Sequence, residues 1–171
     1  MTSDQLERIA IYAKHTDVIL YAPLLSRYMK EYQITGKERE AAFIATIIHE
    51  SGSFKYTKEI ASGSAYEGRK DLGNVIPGDG VKLKGRGLIH ITGRSNYTAI
   101  SKAFGIDFVN KPELLELPEW AARSACWWWK NNGLNEIADT GDMRRVTRRV
   151  NGGYNGLSDR VKWYNLAKQV L

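Results

Sequence analysis

AAFIATIIHESGSF occupies positions 41–54. Ala41, Ala42, Phe43, Ile44, Ala45, Ile47 and Ile48 leave no wide polar stripe, so the stretch from Lys37 to Ile48 predicts a helix enclosed by other helices. Thr35 with Glu38 three residues later has the form of a capping box, and Gly52 supplies a stop. Glu50 then falls in the last turn, a carboxylate at the negative end of a buried helix. Desolvation and the helix dipole both disfavour its ionised form there, and a protonated carboxyl is what a general acid requires. The alternative is a carboxylate that leaves the helix into solvent or pairs with one of the arginines.

Amphipathic periodicity predicts helices on both sides of this segment. Leu6, Ile9, Ala10 and Ala13 share a face over Ser3 to Ala13. Leu24, Leu25, Tyr28 and Met29 do so over Pro23 to Tyr32, with Pro23 suited to a first turn. Downstream, helices are expected over Arg94 to Phe104, Pro118 to Asn132, Asp142 to Val150 and Leu157 to Val170. Between Lys55 and Gly87 the texture changes to glycines and short polar runs. This reads as turns around a short hairpin-like excursion, with Asp79-Gly80 as the tightest turn. An irregular segment this long inside a compact domain is more often functional than idle. The expected fold is mainly α: a single helical domain over residues 1–171, with a central buried helix followed by one long loop region with a short hairpin.

Composition narrows the function classes. With 43% hydrophobic and 26% charged residues the chain is globular, and its length suits one domain. Its first fifteen residues include Asp4 and Glu7 and lack an uninterrupted apolar core, so neither a signal peptide nor an anchor is expected. The one cysteine, Cys126, cannot form an intrachain disulfide, and its place beside three tryptophans reads as a buried structural thiol. His15, His49 and His90 form no zinc-ligand spacing, so no metal is expected. The formal charge is +6, and from Trp120 to Leu171 nine basic residues face four acidic ones. Such a surplus attracts a polyanion. RRVTRR at 144–149 puts Arg144 with Arg148 and Arg145 with Arg149 one turn apart. That is either a solvated face or a contact with an anionic wall or membrane; no aromatic-interleaved groove points to nucleic acid. Trp127, Trp128 and Trp129 point in three directions on a helix, so at least one faces the core.

The loop region also carries acids: Glu59, Glu67, Asp71 and Asp79. Glycoside hydrolysis uses two carboxyl groups, and an inverting enzyme holds them roughly 6.5–9.5 Å apart to admit a water. A second acid nine residues after Glu50 is compatible with that spacing. In KGRGLIHITGRSNY, at 84–97, the glycines match neither a phosphate loop nor a dinucleotide fingerprint. Leu88, Ile89 and Ile91 suggest an extended piece presenting His90 and Thr92 on one face. NGG at 151–153 reads as a helix stop that lets backbone approach a ligand.

In this order, HESGSF at 49–54, YEGRKDLGN at 66–74, PGDG at 77–80, KGRGLIHITGRSNY at 84–97 and VNGGYNG at 150–156 resemble the family 19 chitinase-like glycoside hydrolases, in particular their short bacteriophage endolysins. The resemblance implies a lysozyme-like helical fold with a substrate cleft and inverting hydrolysis of β-1,4-linked amino sugars, with no cofactor. It implies Glu50 as general acid, Glu59 as general base with Glu67 as fallback, and Thr92 as a holder of the attacking water. His90 stands where the family usually carries Gln. Asn151 and Arg160 match cleft-lining positions, and Tyr66, Glu67, Arg69 and Arg86 are further candidate substrate contacts. The implied biology is a monomeric endolysin, made in a host cytoplasm and acting on peptidoglycan after release. A chitinase and a non-catalytic wall-binding domain are the alternatives.

Overall fold

The computed structural model describes all 171 residues. The helices are α1 (Ser3–Ile9), α2 (His15–Glu31), α3 (Lys37–Ser51), α4 (Asp79–Lys82), α5 (Arg94–Phe104), α6 (Pro118–Asn131), α7 (Leu134–Ala138), α8 (Met143–Asn151) and α9 (Leu157–Val170), and there is no β-strand. None is long and apolar enough to cross a membrane.

The central position belongs to α3, whose residues Ala41 to Ile48 are all buried. Lying along it, α9 turns Arg160, Trp163, Tyr164 and Ala167 inward. Helix α6 packs on α2, and the Trp129 ring meets Phe43 edge-on with centroids 5.3 Å apart. Of the three adjacent tryptophans Trp129 is fully buried, while Trp127 and Trp128 are half-buried against the core. Cys126 is buried, and burial pushes its thiol well above its usual range.

Several expected boundaries move, each for a local reason. The first helix stops at Ile9, because Ala10 leaves helical geometry at φ −89°, ψ 59°. The second begins at His15, with Pro23 inside it. Burial of Val18, Tyr21 and Ala22 on the added turns offsets the hydrogen bond that Pro23 cannot make. The cap of α3 is Gly36 rather than Thr35, and Glu40 Oε1 accepts from the Gly36 amide at 3.3 Å.

The expected hairpin between α3 and α5 does not form. Only isolated bridges join Arg86 to Lys58 and Ile91, and Asp79-Gly80 opens the short helix α4 instead of a β-turn. Carboxylates take the place of a partner strand. Asp79 accepts from the Ile76 amide at 3.0 Å and from Arg94 Nε at 2.8 Å. Both Glu67 oxygens accept backbone amides, from Gly78 at 2.7 Å and Gly80 at 2.8 Å. Leu88, Ile89 and Ile91 are buried, but Leu88 and Ile89 lie in a turn and only Ile91 is in a bridge, with His90 at a positive φ of 52° rather than extended.

Candidate active site

Glu50 ends α3 beside α9, and Arg160 Nη2 donates to Glu50 Oε1. Of the readings that the sequence left open for this carboxylate, pairing with an arginine is the one that forms. Arg160 is 1% exposed, and its Nε and Nη1 have no protein partner. One residue earlier, His49 Nδ1 lies 2.7 Å from Asp159 Oδ2, which also accepts from Trp163 Nε1 at 3.0 Å. A carboxylate only accepts, so Nδ1 carries the proton that faces it. Burial alone would raise the Asp159 carboxyl, but the His49 and Trp163 hydrogen bonds outweigh it and hold the group below its ordinary value. Gly156 presses on the same imidazole, where a Cβ would meet Nε2 at 2.2 Å.

Beyond Glu50 the chain turns sharply. Gly52, Ser53 and Phe54 are successive left-handed residues at φ 57°, 59° and 69°. Such conformations cost a non-glycine residue about 1 kcal/mol or more. The turn is held by the Ser53 amide on the Ile48 carbonyl and the Phe54 amide on Ser51 Oγ, both at 2.8 Å.

Glu59 is fixed by its surroundings rather than by a helix. Its amide donates to the Gly85 carbonyl at 3.0 Å, and Tyr66 Oη donates to its Oε2, also at 3.0 Å. The other oxygen, Oε1, is buried and has no protein partner. Gly85 lets this arrangement close: Glu59 Oε2, His90 Cβ and Thr92 Oγ1 all lie within 3.3 Å of the point that a Cβ on Gly85 would occupy. Thr92 donates its hydroxyl proton to the His90 carbonyl at 2.8 Å, so it offers lone pairs to any further neighbour. His90 Nε2 is likewise buried without a partner. Thus Glu59, Tyr66, His90 and Thr92 come together, and two of their polar atoms remain uncommitted.

Other candidates are placed differently. Glu67 spends its carboxylate on the Gly78 and Gly80 amides. Arg86 is turned inward onto Glu116 Oε1 at 2.8 Å, the Lys82 carbonyl at 2.8 Å and Tyr97 Oη at 3.1 Å, which makes it a packing strut. Arg69 forms an exposed ion pair with Asp71. Asn151 accepts from the Gly153 amide and donates to the Asn155 carbonyl, shaping the glycine-rich loop that leads to Gly156. No group of three or more His, Cys, Asp or Glu is placed to hold a metal ion.

Three supports escaped the sequence reading. Asp159 has a local signal, standing beside Arg160 and one turn before Trp163. Asn74 is buried, donates to the Tyr66 carbonyl at 2.9 Å and accepts from the Arg94 amide at 2.8 Å, so it ties Tyr66 to α5. Asp79 pairs with Arg94 across fifteen residues, and no short-range pattern reveals that pairing.

The chain is 30% identical over 171 residues to a Haemophilus influenzae protein described as "Glycosyl hydrolase family 19 domain-containing protein", covering 82% of this chain and 84% of that protein. It is 36% identical to an Arabidopsis thaliana endochitinase over 78% of this chain; that alignment spans 48% of the plant enzyme, about half its length. Chitinase C from Streptomyces griseus superposes with a TM-score of 0.76 at 22% identity, covering 99% of this chain and 75% of that one, and shows the same fold. No family model matches the chain.

Proposed function

The chain belongs to glycosyl hydrolase family 19, a glycoside hydrolase of the chitinase-like type, and from that premise we propose that it cleaves the β-1,4 bonds of peptidoglycan by an inverting, two-carboxylate mechanism. Glu50 protonates the departing glycosidic oxygen. Glu59 takes a proton from a water on the opposite face of the sugar, and Thr92 accepts that water's second hydrogen. The observation that carries this reading is the pair of uncommitted atoms around Gly85. Glu59 Oε1 is buried and unpartnered, and it belongs to the carboxylate that Tyr66 orients beside a hydroxyl whose own proton is already used. A base aimed at water needs one such free lone pair, and Glu67, with both oxygens on backbone amides, is less suited to the role. His90 Nε2, buried and without a protein partner, supplies a further polar atom for the same water.

Arg144, Arg145, Arg148 and Arg149 favour the bacterial wall as substrate. All four are exposed on α8 and none has a carboxylate within ion-pair distance, so a positive face is presented next to the Asn151 loop. We assign that face to an anionic wall and the biological role to an endolysin that reaches peptidoglycan after release from the cytoplasm of the host that makes it. Chitin is the second reading, favoured by the endochitinase and chitinase C likenesses. Side-by-side digestion of purified peptidoglycan and colloidal chitin, with mass spectrometry of the soluble products, tests the choice. New reducing-end muropeptides are expected, and release of chitooligosaccharides with an intact wall would replace the first reading by the second.

A further inference from the structure

A recess of about 310 Å³ opens between the α1–α2 turn and the left-handed turn after α3. Tyr12, Lys14 and Asp17 bound one side, and Gly52, Ser53, Phe54 and Lys55 the other. None of these residues has a part in the chemistry described above. Gly52 follows Glu50 by two residues, so the recess begins within about 7 Å of the Glu50 backbone.

Its walls are firm. The Tyr12 ring is 69% exposed, yet Trp163 holds it edge-on at 5.7 Å and Lys162 Nζ sits 5.4 Å from its centroid. Phe54 is stacked on Tyr21 at 5.2 Å. Trp163 in turn donates to Asp159, the partner of His49, so packed side chains run without a break from Tyr12 to the residue beside Glu50.

The charges of the recess are unspent. Lys14, Asp17 and Lys55 form no ion pair, and Lys55 Nζ only rests 4.9 Å from the Tyr56 ring centroid. Two lysines and one aspartate lining one cavity match a ligand that carries charge of both signs with carboxylates in excess. An N-acetylated amino-sugar polymer without substituents is neutral and leaves all three idle. The glycan of a bacterial wall carries short peptides with free carboxylates and amines, and about ten water volumes of space suits a short peptide segment.

We propose that this recess is a subsite for the charged peptide substituent of the wall glycan, with Lys14 and Lys55 receiving carboxylates, Asp17 receiving an amine and Tyr12 forming an apolar wall. The proposal rests on the peptidoglycan reading and makes the recess the feature that separates a substituted from an unsubstituted polymer.

Steady-state kinetics on intact peptidoglycan, and on the same material with its peptide carboxylates converted to methylamides, tests the assignment. Lys14→Ala with Lys55→Ala should raise KM about fivefold on the intact wall with kcat retained, the size expected for two partly exposed ion pairs. When the carboxylates are blocked the native enzyme should lose the same factor on top of any loss that both proteins share through the basic face of α8, so the double variant should respond about fivefold less than the native enzyme. Lys102→Ala with Lys111→Ala removes two exposed charges elsewhere and should behave as native. A double variant with native KM on the intact wall overturns the subsite while the wall-hydrolase reading stands. A native enzyme that turns over chitin and leaves the wall uncut overturns both.

Discussion

Glu50 stands on the helical body and Glu59 on the irregular segment between α3 and α5, and the two regions hold a carboxylate by different means. Glu50 inherits its position from a buried helix: Ala41 to Ile48 fix the axis of α3, and Arg160 on α9 pairs with the carboxylate at its end. Glu59 has no such frame. Its place is set by one backbone hydrogen bond to Gly85, one hydroxyl from Tyr66 and the missing side chain at position 85. Packing is redundant and tolerates change at a single atom, whereas a site built from a few polar contacts and a glycine clearance does not.

That contrast can be broken most directly at the acid itself. Glu50→Gln should reduce turnover about a thousandfold, within the range for loss of a general acid, with thermal unfolding close to native. A variant that also unfolds would mean that the Arg160 pair, rather than the apolar face of α3, holds the helix end. On the other side, Gly85→Ala places a methyl 2.9 Å from His90 Cβ and 3.0 Å from Glu59 Oε2. Displacing the base by that contact should cost about a hundredfold in kcat, with stability lowered by about 1–3 kcal/mol. Native activity in this variant would show that Glu59 is not positioned through Gly85.

The irregular segment has its own anchor in the Asp79–Arg94 pair, whose carboxylate is buried and whose guanidinium is partly exposed, and Asp79→Asn should destabilise the protein by about 2–3 kcal/mol. The Arg94 guanidinium holds Asp79 below its ordinary value of 3.8 against the opposing effect of burial. A folded-state value lowered in this way stabilises fully above the ordinary carboxylate range and is lost as pH falls through the lowered value. The melting-temperature gap between native protein and variant, about 8 °C near pH 6, should therefore narrow below about pH 4. A gap that is constant with pH would assign the loss to packing. The smallest effect is expected from the basic face outside both regions. Replacing Arg144, Arg145, Arg148 and Arg149 by Gln should weaken wall binding about tenfold at low salt and hardly at all at high salt, leaving cleavage of soluble fragments unchanged.

What the sequence made legible follows the same division. The apolar run at 41–48 and the stop at Gly52 defined α3 and placed Glu50 correctly, because burial and capping are local signals. Pro23 misled for the same reason, since its local preference for a first turn was outweighed by tertiary burial of Val18 and Tyr21. Residues 55–87 read as functional but took the wrong local form. Three of their amides, those of Ile76, Gly78 and Gly80, donate to Asp79 and Glu67, and the pairing of Asp79 with Arg94 and the close approach of Gly85 to His90 appear only in three dimensions. Glu59 and Thr92 could be noted from spacing but given roles only through the family resemblance, because one carboxylate among several in a loop carries no local mark. Asp159 was within reach, one residue from Arg160.

The central claim is that carboxylates from the two regions act together across a sugar ring with a water between them. Proton NMR of the anomeric region during the first minutes of cleavage tests it most directly, with hydrolysis run faster than mutarotation. An inverting pair acting on a β-linked strand predicts that the new reducing ends appear first as the α-anomer. First appearance of the β-anomer would contradict the account, because it would require a covalent or neighbouring-group intermediate in place of the water assigned to Glu59.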